Sequence, residues 1–255
     1  MDLDRLKARI SSHIHGTDAE IEAYALKIQR EVERVSRQLL KRLEKQNLSF
    51  SEIAAELGGL EQRLIDAGII DQIDKANDIF LREMSHVSES FALLTGQVEF
   101  TGIEVNAAEA LINYSARQIQ GALTSSLYDI TEQTFSSYLT GQAPDIEAVL
   151  ETSTGKLANY VRTELATATS GFNRTITAMK AEQLGLTLFL YLGPMDNRTR
   201  EFCAKRVNKV YPKDEIAQMD NGQGLDVMIY GGGYRCRHEW RPVSADLAKR
   251  YGYEG

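Results

Sequence analysis

Three of the chain's four prolines, both cysteines and the only tryptophan lie between Pro194 and Pro242, in the last quarter of 255 residues. Before Leu186 there is a single proline, Pro144. Proline lacks a backbone donor and clashes with the preceding turn of a helix, so it punctuates a chain wherever it is frequent. The sequence therefore divides into a helical region, 1–186, and a compact, irregular module, 187–255. The expected fold class is mainly α, a long helical N-terminal region followed by a small α+β C-terminal module.

Hydrophobic spacing supports the first half of that division. In ALKIQREVERVSRQLLKRLEKQ, Ile28, Val32, Val35, Leu39, Leu40 and Leu43 recur at helical intervals, and Glu31/Arg34 and Glu33/Arg37 suit the wet face. Thr17-Asp-Ala-Glu20 and Ser49-Phe-Ser-Glu52 have the form of capping boxes. They predict a short first helix ending near Gly16, a longer one to about Lys45, and a third stretch from Ser49 to about Leu94. Gly58-Gly59 and Gly68 should divide that stretch. Residues 96–105 read as a hairpin or an extended linker. Asn106-Ala-Ala-Glu109 should cap a helix reaching Thr140, with Leu111, Ile112, Ile119, Leu123, Leu127, Ile130 and Phe135 along one side. Pro144 suits the first turn of the next helix, which begins at Asp145 and carries Ala158, Ala166 and Ala168. A last helix over 172–184 should end at Gly185.

Bulk properties exclude several classes. The net charge is −7; residues 190–255 hold 11 Lys/Arg against 9 Asp/Glu, and the remainder holds 18 against 27. An acidic body argues against wholesale wrapping of nucleic acid. No apolar run approaches the ~18–20 residues of a membrane span, so no membrane partner is expected. MDLDRLKARI lacks the apolar core of a secretory signal, and two cysteines are too few for a secreted disulfide framework, so synthesis in the cytoplasm is expected.

The module holds the chemistry. TLFLYLG at 187–193 is a β-type run, and a short helix is expected after Asn197. Cys203, Cys236 and His238 are soft donors, and Asp196 could complete a four-donor structural zinc site. Two other readings stand beside it: a Cys203–Cys236 disulfide, or two reduced, buried thiols packed under Trp240. A nucleophilic Cys236 activated by His238 would need an orienting group and an oxyanion hole, and no protease or transferase signature surrounds either cysteine. Arg198, Arg200, Arg235, Arg237 and Arg241 would form internal salt bridges with Asp196, Glu201 and Glu239, or bind phosphate or an acidic surface. His13 and His15 read as surface residues and His86 as an ordinary helical side chain. Gly231-Gly-Gly233 is no phosphate loop, because no Lys-Ser/Thr follows.

Asp196-Asn-Arg198-Thr199-Arg200 followed by Cys203, then Gly232-Gly233-Tyr-Arg-Cys236-Arg237-His238 and Trp240-Arg-Pro242, resembles the terminal module of tailed-phage minor head proteins of the Mu-F-like head morphogenesis group. The resemblance covers 187–244; residues 1–186 share only their helical character. It lacks the histidine that many members carry before Asp196, and Cys203 stands where some have histidine. The resemblance implies a non-enzymatic structural protein of a phage or prophage virion. Its partners would be the portal or major capsid protein at the portal vertex, with packaged DNA nearby and a part in packaging or release. The motif residues would then hold a small fold together. The competing expectations are a small hydrolase or toxin-like enzyme using the cysteines and His238, and a DNA-binding assembly factor using the arginines.

Overall fold

The computed structural model describes residues 3–46, 48–95 and 102–254. Seven helices come first: α1 (Leu3–Lys45), α2 (Phe50–Gly58), α3 (Leu60–Asp66), α4 (Ile69–Asp74), α5 (Asn77–Thr95), α6 (Gly102–Leu139) and α7 (Ile146–Gln183). The module follows as β1 (Leu188–Leu192), α8 (Glu201–Ala204), β2 (Val210–Pro212), α9 (Lys213–Ala217), α10 (Val227–Tyr230), β3 (Glu239–Val243) and α11 (Ala245–Arg250). The chain is mainly α with a small α+β module at its C-terminal end, as the sequence predicts. Among the described residues no helix is long and apolar enough to cross a membrane.

Local signals place most of the breaks. Glu52 accepts from the Ser49 backbone N–H at 2.7 Å, the return half of the capping box that opens α2. Gly59 sits at the α2–α3 joint, and Gly68, at φ +82°, lies in the left-handed region between α3 and α4. The α7 terminus is a Schellman motif. The Leu186 N–H reaches the Ala181 carbonyl at 2.8 Å and the Gly185 N–H reaches Glu182 at 3.0 Å, with Gly185 at φ +66°.

Three boundaries differ from the sequence reading. α1 runs unbroken through Gly16, because the Thr17 hydroxyl donates to Glu83 at 2.9 Å and is spent on a distant partner instead of a cap. α6 already begins at Gly102, so Asn106 lies inside it and 102–105 is neither hairpin nor linker; residues 96–101 of that expectation lie outside the described residues. α7 opens where the sequence reading places it, at Asp145, whose carboxylate accepts from the Ala148 N–H at 3.0 Å. α7 continues through Gly171 as one 38-residue helix.

Residue 186 marks a change of secondary structure, whereas packing groups the chain differently. One compact unit comprises Met1–Glu20, Asp78–Ile112 and Leu165–Gly255; the other comprises Ile21–Asn77 and Asn113–Glu164. The second is wholly helical. Ile21, Ala25, Ile28, Val32, Val35, Leu39 and Leu43 bury one stripe of α1, and Ile53, Leu57, Leu60, Leu64, Ile69 and Ile73 bury the inner sides of α2–α4. Thr154 donates to Glu33 at 2.8 Å, and Arg162 makes a two-pronged pair with Glu22 at 2.6 and 2.8 Å.

The first unit is built on a three-stranded antiparallel sheet in the order β2-β1-β3. Phe189 and Tyr191 on one face of β1 pack with Ala181, Cys203, Ile216, Val227, Cys236 and Trp240. Leu190 and Leu192 on the other face pack with Ile10 and Ile14 of α1, Val210, Val243 and Ala248. Burial on both faces explains why the β1 sequence is a continuous apolar run instead of an alternating one. Pro242 is tolerated because β3 is an edge strand.

Gly171 tests the continuity of α7. A Cβ there would meet Ile229 at 3.7 Å, an ordinary contact, and the residue has helical neighbours on both sides. Gly171→Ala should therefore raise stability by about 1 kcal/mol, read as a higher urea midpoint at unchanged slope.

Candidate functional site

The two halves of the sequence motif fold against one another. Asp196 accepts from the Arg198 N–H at 2.9 Å, and the Thr199 hydroxyl bridges the Asp196 N–H at 2.9 Å and the Pro194 carbonyl at 3.1 Å, closing the turn after β1. The same carboxylate takes both guanidinium nitrogens of Arg237, at 2.6 and 2.7 Å. That pair is the first reason the Asp196 carboxyl is held well below the usual carboxylate range. Arg200 donates to the Tyr234 carbonyl at 2.6 Å, and Arg198 reaches Asp18 of α1 at 3.1 Å. Of the other arginines, Arg241 pairs with Glu239, and Arg235 is exposed at φ +56°. Glu201 pairs with Lys205 instead of an arginine.

These ties bring Cys203, Cys236 and His238 together. Their donor atoms all lie within 4.8 Å of one another, and all three residues are buried. The sulfurs are 3.7 Å apart and the cysteines are free, while the His238 Nδ1 is 3.9 Å from the Cys236 sulfur. Asp196 is not of this group; its carboxylate is engaged by Arg237. The backbone closes the centre. A Cβ on Gly232 would lie 2.5 Å from the Cys203 sulfur, and one on Gly193 would lie 2.5 Å from the His238 ring. Gly233, at φ +101°, turns the chain beside Gln223. Trp240 covers the floor, its indole N–H donating to the Val227 carbonyl at 2.9 Å.

Two residues not singled out by the sequence complete the centre. The Tyr191 hydroxyl lies 3.4 Å from each sulfur, and its ring stacks on His238 with centroids 5.2 Å apart. Arg174 of α7, 1% exposed, donates to the carbonyls of Ile229, Cys236 and His238 at 2.7, 2.5 and 2.9 Å. The Cys236 thiol is pushed well down, first by the hydrogen bond from Cys203 and then by the Arg174 charge. Cys203 is pushed up because its neighbour takes the negative charge and because it is buried. Burial likewise drives the Tyr191 phenol well above its ordinary value. The Gly232 N–H donates to the Cys236 sulfur at 3.2 Å. Chemically this is a pair of free cysteines in a donor cradle, at 3% exposure for Cys236 and 1% for Cys203. A substrate-sized group has no access to either sulfur, so the arrangement suits holding an ion or a packed fold better than nucleophilic attack. The signal for Tyr191 was a lone hydroxyl inside an apolar strand. For Arg174 it was a guanidinium amid the small residues of α7.

A second polar cluster lies in the same unit, and there the sequence reading of the histidines requires correction. His13 is no simple surface residue: its Nε2 bonds Glu83 at 2.8 Å and its ring stacks on His86 at 3.5 Å with planes 5° apart. Glu83, 4% exposed, also accepts from Thr17 and from Asn173 at 2.9 Å. The His86 Nε2 faces Arg241 at 2.8 Å, and Arg241 in turn holds Glu239. Burial lowers His13, but the hydrogen bond and charge of Glu83 outweigh it and leave the group above 6.5. Burial raises Glu83, and His13, Asn173 and Thr17 bring it below its ordinary value. Burial, with Arg241 and His13 beside it, pushes His86 down to about 2. His15 only bonds back to its own helix, at the Ser11 carbonyl.

No known protein family, curated protein or solved structure matches this chain.

Two predictions arise here. His13 binds its proton better folded than unfolded, so its contribution is complete below about 6.5 and is lost as pH rises through its folded value. His86 behaves oppositely, with its contribution present above 6.5 and lost as pH falls from 6.5 towards 2. Melting temperature against pH should fall on both sides; His13→Gln should flatten the alkaline limb and His86→Gln the acid limb. Separately, Arg174→Met leaves three buried carbonyls without a donor and should lower the unfolding free energy by about 3–5 kcal/mol in urea titration.

Proposed function

We propose that this chain is a structural minor head protein of a tailed phage or prophage, acting in head morphogenesis at the portal vertex. The observation that carries the reading is the use made of the motif residues. Asp196, Thr199, Arg200 and Arg237 spend their hydrogen bonds on joining the 194–200 turn to the 234–237 segment. Residues used in this way hold a module in shape, which is what the resemblance to the Mu-F-like group implies for them.

Other features agree with an assembly role. Tyr114, Tyr128 and Leu139 of α6 and Tyr160 of α7 are exposed, offering apolar contact area on a helical body. The acidity of residues 1–189 suits a protein that stands beside packaged DNA without being trapped on it. The arginines give little support to a DNA-binding reading. Arg198, Arg200, Arg237 and Arg241 all have partners within the chain.

The test is co-expression with the product of the adjacent gene, expected to be a portal, followed by native mass measurement. A defined multiple of this chain on a portal ring is the expected result, together with its detection in purified particles. A lone monomer that is also missing from the particles would overturn the proposal.

A further inference from the structure

We propose that Cys203, Cys236, His238 and Tyr191 form a closed four-donor site for one zinc-class divalent cation, with Asp196 outside it. The inference goes beyond the head-protein reading and does not depend on it. It rests first on the donor geometry. Tetrahedral zinc, with bonds of about 2.3 Å to sulfur and about 2.0–2.1 Å to nitrogen, sets its ligand atoms about 3.5–3.8 Å apart. The two sulfurs are separated by 3.7 Å, Cys236 Sγ and His238 Nδ1 by 3.9 Å, and the Tyr191 hydroxyl stands 3.4 Å from each sulfur. The donors of Cys203, Cys236 and His238 lie within 4.8 Å of one another, and the Tyr191 hydroxyl of β1 stands beside both sulfurs.

The second observation is the state of His238. Its side chain is 2% exposed, and the nitrogen nearest the Cys236 sulfur is Nδ1. The Nδ1 faces only a sulfur at 3.9 Å, the far limit of such a bond. A buried imidazole is normally satisfied on at least one nitrogen by a strong partner, and a cation between the donors supplies that partner.

The third is charge. Arg174 is a buried cation whose hydrogen bonds all go to neutral carbonyls. A divalent ion bound by two thiolates and the Tyr191 phenolate carries one net negative charge, which the guanidinium balances. Binding requires no oxidant; the protons held by the thiols and the phenol leave to solvent as the metal–ligand bonds form. The glycines that seal the centre, Gly193 and Gly232, leave no room for a side chain above the donors, so the ion enters as the module closes.

The experiment uses the full chain, purified without chelator from zinc-supplemented cells. Elemental analysis should give about one zinc per chain. Replacement by cobalt(II) should give thiolate-to-cobalt charge-transfer absorption and the visible bands of a tetrahedral site. Tyr191→Phe should retain the cobalt charge transfer but bind the ion about tenfold or more weakly, with altered visible bands. Asp196→Asn should leave the spectrum unchanged. Cys236→Ser should lose the charge transfer; if it does not fold, the wild-type spectrum and its loss to competing chelator give the same information. Two results would overturn the proposal. One is a folded, metal-free chain that takes up no stoichiometric cobalt, whether its thiols are free or joined in a disulfide. The other is a cobalt spectrum abolished by Asp196→Asn and untouched by Tyr191→Phe.

Discussion

The structure depends on β1 being buried on both faces. A five-residue strand with Phe189 and Tyr191 on one side and Leu190 and Leu192 on the other cannot face water on either, so it needs a cover on each side. The C-terminal turns of α7 and the irregular segments of the module provide one cover, and the first turns of α1 with α11 provide the other. A strand of this kind ties the module to helices that lie far away in sequence. That is why the compact unit combines three separate stretches of chain. It also accounts for α1 running through Gly16: Ile10 and Ile14 on one side of that glycine are held by the sheet, and Thr17 on the other is held by Glu83.

The strand at the edge distributes the chemistry. His238 and Trp240 turn towards the thiols, while Glu239 and Arg241 turn towards Glu83, His86 and His13. Period-two alternation therefore separates two polar centres by the thickness of one strand. The pairing register agrees: Tyr191 faces Trp240 across the ladder, whereas Leu190 faces Arg241 and Leu192 faces Glu239. Slipping β3 by one residue would put an arginine among the sulfurs and a tryptophan among the histidines. Register here is fixed by chemistry as well as by hydrophobicity.

What could be read from the sequence was what local physics decides. The capping box at Ser49, the breaks at Gly59 and Gly68, the stop at Gly185 and the β-type run at 188–192 each follow from a few neighbouring residues. A meeting of Cys203, Cys236 and His238 is one of the readings the sequence supports, beside a disulfide and packed thiols, because three glycines free the backbone ahead of the Cys-x-His pair. What escaped was decided at a distance. Thr17-Asp-Ala-Glu20 satisfies the local rule for a cap, but its hydroxyl finds a better acceptor 66 residues away. Asp196 has the right chemistry for a metal ligand, but a bidentate arginine 41 residues later claims both oxygens. Tyr191 and Arg174 looked like parts of a strand and a helix, and only the fold brings their polar ends to the cysteines.

The two centres differ in how firmly they hold their charge. Around Cys236 the surroundings are donors and a fixed cation: the Gly232 N–H, the Tyr191 hydroxyl, the Cys203 thiol and Arg174. The histidine cluster contains two titratable rings in face-to-face contact, one stabilised charged by Glu83 and the other kept neutral by burial beside Arg241. A second proton there would place two like charges at stacking distance, so a charged His13 disfavours protonation of His86. The same edge strand thus borders two polar centres, and the histidine one loses the His13–Glu83 charge pair as pH rises, not in mild acid. At Glu83, α1, α5 and α7 share a single carboxylate, while the module reaches this cluster through Arg241 at His86.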